Sequence, residues 1–236
     1  MTRRIVLISS LAVALLPMLS SCDREDPGPM QSVRKEFAIT DFDRLEMGSA
    51  LHIEVEQAST FTIEVRGDRR NIDDLEVYKS GSTLVIEYED NNNRHYDTHV
   101  YITMPVLEAV NFSGASVSKI RGFDSDEQLD FYLSGASVSQ LDSDFRKVNV
   151  VVSAASSLYL TGNGDELNVK ISGASSLKAF DYPVRQAALE VSGASDGKVT
   201  AIDELIVTAS EASSVLYRGN PSLTANTSGS SAVVKD

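Results

Sequence analysis

The chain has 236 residues, 42% of them hydrophobic, with a formal charge of −13 and a single cysteine. That length is ample for a buried core, the lone cysteine rules out an intramolecular disulfide, and the acidity argues against electrostatic binding of nucleic acid or anionic headgroups. Ser, Val, Asp, Leu and Ala recur in short alternating runs, which favours a β-rich protein.

Residues 1–21 read as a lipoprotein signal peptide. Arg3 and Arg4 give a basic start, Ile5 to Leu16 is an apolar run too short to span a bilayer comfortably, and Pro17 closes it. Leu19-Ser20-Ser21-Cys22 then resembles a bacterial lipoprotein cleavage box, in which a peptidase cuts before the cysteine and its thiol carries diacylglycerol. Cys22 is therefore the expected lipidation site, and contact with the membrane is expected through acyl chains rather than a basic patch. Loss of the signal removes Arg3 and Arg4, so the formal charge moves from −13 to −15. Residues 22–34 are polar, with Pro and Gly, and read as a flexible tether. The acidic residues just after Cys22 resemble the surface-export signals of some Bacteroidetes-type lipoproteins.

Residues 35–105 are β-rich but irregular. Leu51 to Val55 and Phe61 to Val65 alternate as strands, and Asn71 to Leu75 reads as a short helical turn. Lys79 to Thr83 separates two further alternating runs, as a hairpin or a degenerate corner. Met47-Gly48-Ser49-Ala50 faintly echoes the repeat described next. The region is expected to continue the same architecture and cap one end of it, with a separate small β-domain as the alternative.

Residues 106–236 repeat. Ser113-Gly114-Ala115-Ser116 is the first of seven S-G-A-S-like tetrads whose first serines are Ser113, Ser134, Ser153, Ser172, Ser192, Ser210 and Ser228, those at Ser153, Ser210 and Ser228 being variants. The intervals are 21, 19, 19, 20, 18 and 18 residues, a phasing that low-complexity drift would not hold. Before each tetrad the apolar residues alternate, as in Val148, Val150 and Val152; after it alternation resumes, as in Leu158 and Leu160. Each unit is thus strand, small-residue corner, strand and polar turn. Such a unit cannot bury its own apolar face and must stack on its neighbours. The expected fold is all-β, a right-handed parallel β-helix, with the tetrads as corners packed tightly above one another.

An N-terminal lipoprotein box, an irregular β lead-in and phased S-G-A-S coils together resemble the bacterial "putative auto-transporter adhesin, head GIN domain" family, over roughly residues 35 to 232. The resemblance implies a β-helical envelope protein and supplies no catalytic residues. It also leaves tethering to the lipid, since no autotransporter barrel is evident.

Carboxylates recur in the polar turns: Asp124, Asp126, Asp142, Asp144, Asp165, Glu166, Asp203 and Glu204. Stacking would align them along one edge, where they could ligate calcium or hydrolyse a glycosidic bond, or simply solubilise the turns. Their offsets from the tetrad vary, which spoils a repeated ligand pattern. His95 and His99 straddle a loop-to-strand junction with His52 distant in sequence, so no metal site or cofactor is expected. The function expected is that of a non-enzymatic, lipid-anchored outer-membrane protein, surface-exposed or periplasm-facing, presenting an adhesive surface to glycan or protein. A carbohydrate-active enzyme and a periplasmic structural component are the alternatives, and a homodimer through the solenoid ends is a further expectation.

Overall fold

A computed structural model describes residues 28–90 and 93–236. The expected signal peptide, Cys22 and residues 23–27 of the expected tether lie outside the described residues. In chain order come β1 (Ser32–Glu36), β2 (Arg44–Met47), β3 (His52–Gln57), β4 (Thr62–Asp68), α1 (Arg69–Asp73), β5 (Leu75–Ser80), β6 (Thr83–Tyr88) and β7 (His99–Met104). The regular part follows as β8 (Ala109–Phe112), β9 (Val117–Leu133), β10 (Val138–Val152), β11 (Ser157–Thr161), β12 (Glu166–Ile171) and β13 (Ser176–Val191). It closes with β14 (Asp196–Ala209), β15 (Ser214–Arg218), β16 (Ser222–Thr227) and β17 (Ala232–Lys235). The strands join in one hydrogen-bonded sheet wound into a β-solenoid of about seven turns, as the repeats imply.

Each regular coil contributes two faces, one made by the segment after a corner and one by the segment leading to the next. On the second face Leu129, Phe131 and Leu133 stack in register on Val148, Val150 and Val152, and these on Leu167, Val169 and Ile171. All nine are at most 3% exposed. Burying a side chain of this size stabilises the fold by roughly 1.5–3 kcal/mol. No coil could gain that alone, because each of these side chains packs in register on those of the coils above and below.

The corners account for the tetrad. The serine that ends each of the first six tetrads turns inward: Ser116, Ser137, Ser156, Ser175, Ser195 and Ser213 are at most 2% exposed. Along this column the amides of Ser116, Ser137, Ser156 and Ser175 each donate to the serine hydroxyl of the next coil, at 3.1–3.4 Å. The Ser137 and Ser213 hydroxyls in turn donate to the first-serine carbonyls of their own tetrads, at 2.7 and 2.8 Å. These serines satisfy one another inside the stack and present nothing to a ligand. Small volume at the corner is enforced just as directly. A Cβ on Gly193 would run into the Gly173 carbonyl oxygen, and its φ of +78° already lies in the left-handed region.

Differences in coil length are absorbed at the polar turns. Between β9 and β10 the register shifts at Asp142/Asp144 and at Phe145/Lys147, while the strands on either side stay aligned. Between β13 and β14 it shifts on both sides of Val184. Inside this edge Phe123 and Phe145 stack at 6.1 Å. The next coil has Gly164, which adds no side chain, and Tyr182 reaches back across the gap. Its hydroxyl donates to the Phe145 carbonyl at 3.0 Å and accepts from the Phe145 amide at 3.4 Å. A Cβ at Gly164 would sit 2.8 Å from that hydroxyl, so the glycine makes the room the tyrosine fills.

The N-terminal region belongs to the same solenoid, but its coils do not stack in chain order. β2 lies between β6 and β8, and β3 between β7 and β9, all in parallel. The chain therefore enters at the second coil, builds the outermost coil, then returns beneath the first. Met47 is in register with Phe112, so the corner here is Gly48-Ser49-Ala50-Leu51, one residue later than the echo read from the sequence. Lys79 to Thr83 is a hairpin rather than a corner, with Ser80 opposite Thr83 across a two-residue turn. Residues 32–34 lie in β1, antiparallel to β4, and the Gly28 carbonyl accepts from the Tyr96 hydroxyl at 2.6 Å.

Asp68 fastens this lead-in. It caps α1 and is fully buried, accepting from the Gln31 amide at 2.8 Å and from the Arg70 amide at 3.0 Å. Arg70 also donates through Nε and Nη2 at 2.7 and 2.8 Å. The Arg70 guanidinium holds the Asp68 carboxyl well below the usual carboxylate range, against the opposing effect of burial, and the two amides add to it.

Candidate functional site

The turn carboxylates do not form the single edge the sequence suggested. Asp124 and Asp144 are in register on adjacent coils and share a shallow depression of about 240 Å³ with Asp126 and Asp165. Asp144 is already engaged, accepting from the Asn163 amide at 2.7 Å. The other four lie apart. Asp142 accepts from the Thr161 hydroxyl at 3.1 Å, and Asp203 pairs with Arg185 at 2.8 Å. Glu166 sits on the second face, where Asn168 and Lys147 hold its carboxyl below the ordinary glutamate range. Glu204 is on the same face, in register with Gln186 and Ser222. The register shifts at the turns scatter these groups. Among the described residues no three His, Cys, Asp or Glu side chains converge as a metal ion would need.

The histidines pair differently from their sequence spacing. His99 lies beside His52, directly opposite it on the neighbouring strand with ring centroids 4.9 Å apart, while His95 is exposed. His52 Nε2 is 3.8 Å from an Asp97 carboxylate oxygen, and the Arg66 guanidinium covers Tyr101 at 4.9 Å. The row runs along the first face as packed surface side chains.

The second face carries a depression of about 430 Å³, open to solvent. Two outward columns build it. One, four residues before each tetrad, runs Asp130, Asn149, Asn168, Ala188, Ile206; the other, two residues before, runs Tyr132, Val151, Lys170, Glu190, Thr208. In the first column Asn168 Nδ2 donates to Asn149 Oδ1 at 3.1 Å and Asn149 Nδ2 to Asp130 Oδ1 at 2.8 Å. Ala188 ends this amide ladder, and its short side chain makes the dip. In the second column Lys170 pairs with Glu190 at 3.0 Å. Tyr132 and Ile206 stand at the two ends, 48% and 41% exposed. The hydrophobic period marks only the inward residues; the two outward columns emerge from the sequence when the units are aligned on their corners, at positions −4 and −2.

A solenoid with a filled interior and ordered outer columns defines a class of protein that displays side chains along a repeating scaffold. The chain belongs to the family described as "Putative auto-transporter adhesin, head GIN domain", whose sequence model matches residues 41–221. Solved structures share the fold. A "putative adhesin" from Bacteroides fragilis superposes with a TM-score of 0.77 at 16% identity, covering 87% of this chain and 96% of its own. A "putative adhesin" from Parabacteroides distasonis gives 0.74 at 17%, covering 89% and 98%. A "Putative lipid binding protein" from the same species gives 0.65 at 18%, covering 87% and 96%. At these identities the likeness speaks for the fold alone. No curated protein matches the chain in sequence.

Proposed function

We propose that this is a lipid-anchored outer-membrane protein of the cell envelope, held through Cys22, whose solenoid displays a non-catalytic surface for adhesion. The observation that carries the reading is the pair of outer faces. Between the ends of the solenoid their strands are paired on both sides, so they present long, ordered rows of side chains to an extended partner. Membership of a family named for adhesins and the lipoprotein-like box before Cys22 support the same reading. So does the state of the turn carboxylates, several of which are engaged by Arg185, Lys147, Thr161 or Asn163.

The test is to probe the full-length protein in detergent against arrays of glycans and matrix proteins, and to label cells with an alkyne fatty acid. Selective binding is expected, along with acylation of the wild type that disappears in Cys22→Ser. Uniform absence of binding, or acylation that persists without Cys22, would sink the proposal.

A further inference from the structure

The depression on the second face has a chemistry that the adhesive reading leaves unassigned. The strands around it, β10, β12, β13 and β14, are hydrogen-bonded on both sides, so no peptide can add to them as a strand. Whatever binds here is recognised by side chains. These are an exposed tyrosine ring, an isoleucine, and carboxamides at one edge. Asn168 donates along the amide ladder and to Glu166, yet among the described residues no side chain donates to its carbonyl oxygen, because the next coil offers Ala188. An acceptor thus stands at the dip with no protein partner.

We propose that this depression binds a neutral glycan chain laid across the coils. A pyranose has an apolar C–H face that stacks on Tyr132 and a rim of hydroxyls that donate to the Asn168 carbonyl oxygen, whose own two amide hydrogens are spent on Asn149 and Glu166. Successive coils are about 4.8 Å apart, close to the length of one sugar unit in an extended chain, so each coil meets a successive sugar. From Tyr132 to Thr208 the columns run about 19 Å, the reach of a short oligosaccharide. Charge selects the neutral class. Lys170 is the one cation lining the depression and is paired with Glu190, and the chain as a whole carries −13. A lipid chain fits poorly, because the depression is open and would leave one side of the chain in water while the solenoid interior is filled by its own core.

The inference rests on the reading of the outer face as an interaction surface, and the experiment separates the two. Isothermal titration of the full-length protein in detergent would use cellohexaose, chitohexaose and xylohexaose, with hexagalacturonate as the anionic comparison. At least one neutral chain is expected to bind. Affinity should fall on the order of tenfold in Tyr132→Ala and be lost in Ala188→Arg, which fills the dip. Tyr159→Ala, on the first face, should leave it unchanged. Tyr132 is half exposed and Ala188 faces outward, so circular dichroism and the melting temperature should match the wild type. Binding that survives Ala188→Arg, preference for hexagalacturonate, or no binding to any neutral chain each overturns the proposal. If matrix-protein binding persists in that last case, the adhesive reading stands and only the glycan site falls.

Discussion

At four corners, Ser49/Ala50, Gly114/Ala115, Gly135/Ala136 and Ala154/Ala155, two consecutive residues take positive φ. From Gly173 onward only the second residue of each tetrad does: Gly173, Gly193, Glu211 and Gly229. The hydrogen bonds reverse at the same place. The Ala115 and Ala136 amides donate to the following coil, whereas those of Ala194, Ala212 and Ser230 donate to the preceding one. Ser134-Gly135-Ala136-Ser137 and Ser172-Gly173-Ala174-Ser175 are identical in sequence yet turn differently, so the stack decides the conformation. Glu211 occupies a left-handed position, at φ 63°, where most neighbouring coils have glycine. Glu211→Gly should therefore stabilise the protein by about 1 kcal/mol, read by denaturant unfolding. Gly193→Ala should cost roughly 2 kcal/mol or more by the same assay, since the new methyl meets the Gly173 carbonyl. Tyr182 supplies a pH test. Burial pushes its hydroxyl up to about 12, so the stability it adds is complete below pH 10 and lost as pH rises through 12. Tyr182→Phe should flatten that alkaline loss while costing about 1–2 kcal/mol near neutrality, where the Phe145 backbone loses its partner.

Among the elements, the regular strands were legible because one residue in two is apolar and the period holds on both sides of each tetrad. The order of the N-terminal coils was not. β2 and β3 carry the same alternation whether they stack outside or between their neighbours, and only the partners on both sides, β6 with β8 and β7 with β9, settle the order. β1 was hidden for a different reason. Ser-Val-Arg-Lys-Glu has no buried face, and its strand character comes from pairing with β4 and from the Asp68 clasp. The depression on the second face went unread because outward columns show no hydrophobic period. The clasp is open to acid. Its folded-state pKa is depressed, so its contribution is present above the ordinary aspartate pKa of about 4 and is lost as pH falls through the lower folded value. Asp68→Asn should flatten the acid limb of the stability profile. It should also speed amide exchange in β1 and at Gln31, while the core strands β10 and β13 keep their protection.

At the scale of the whole molecule, a single interior runs from Phe42 to Val215, and the two faces around it are continuous from the N-terminal cap to the last coil. Rigidity is thus built into the surface as well as the core, because every outward column stands on a stacked inward one. Such a surface is suited to presentation, and its value depends on where the cell places it. The decisive measurement is biotinylation of intact cells with a membrane-impermeant reagent, in strains carrying the wild type or Cys22→Ser. The wild-type protein should be labelled on intact cells and sediment with membranes, and Cys22→Ser should do neither. Labelling only after the cells are permeabilised, or unchanged membrane attachment without Cys22, would contradict anchored surface display.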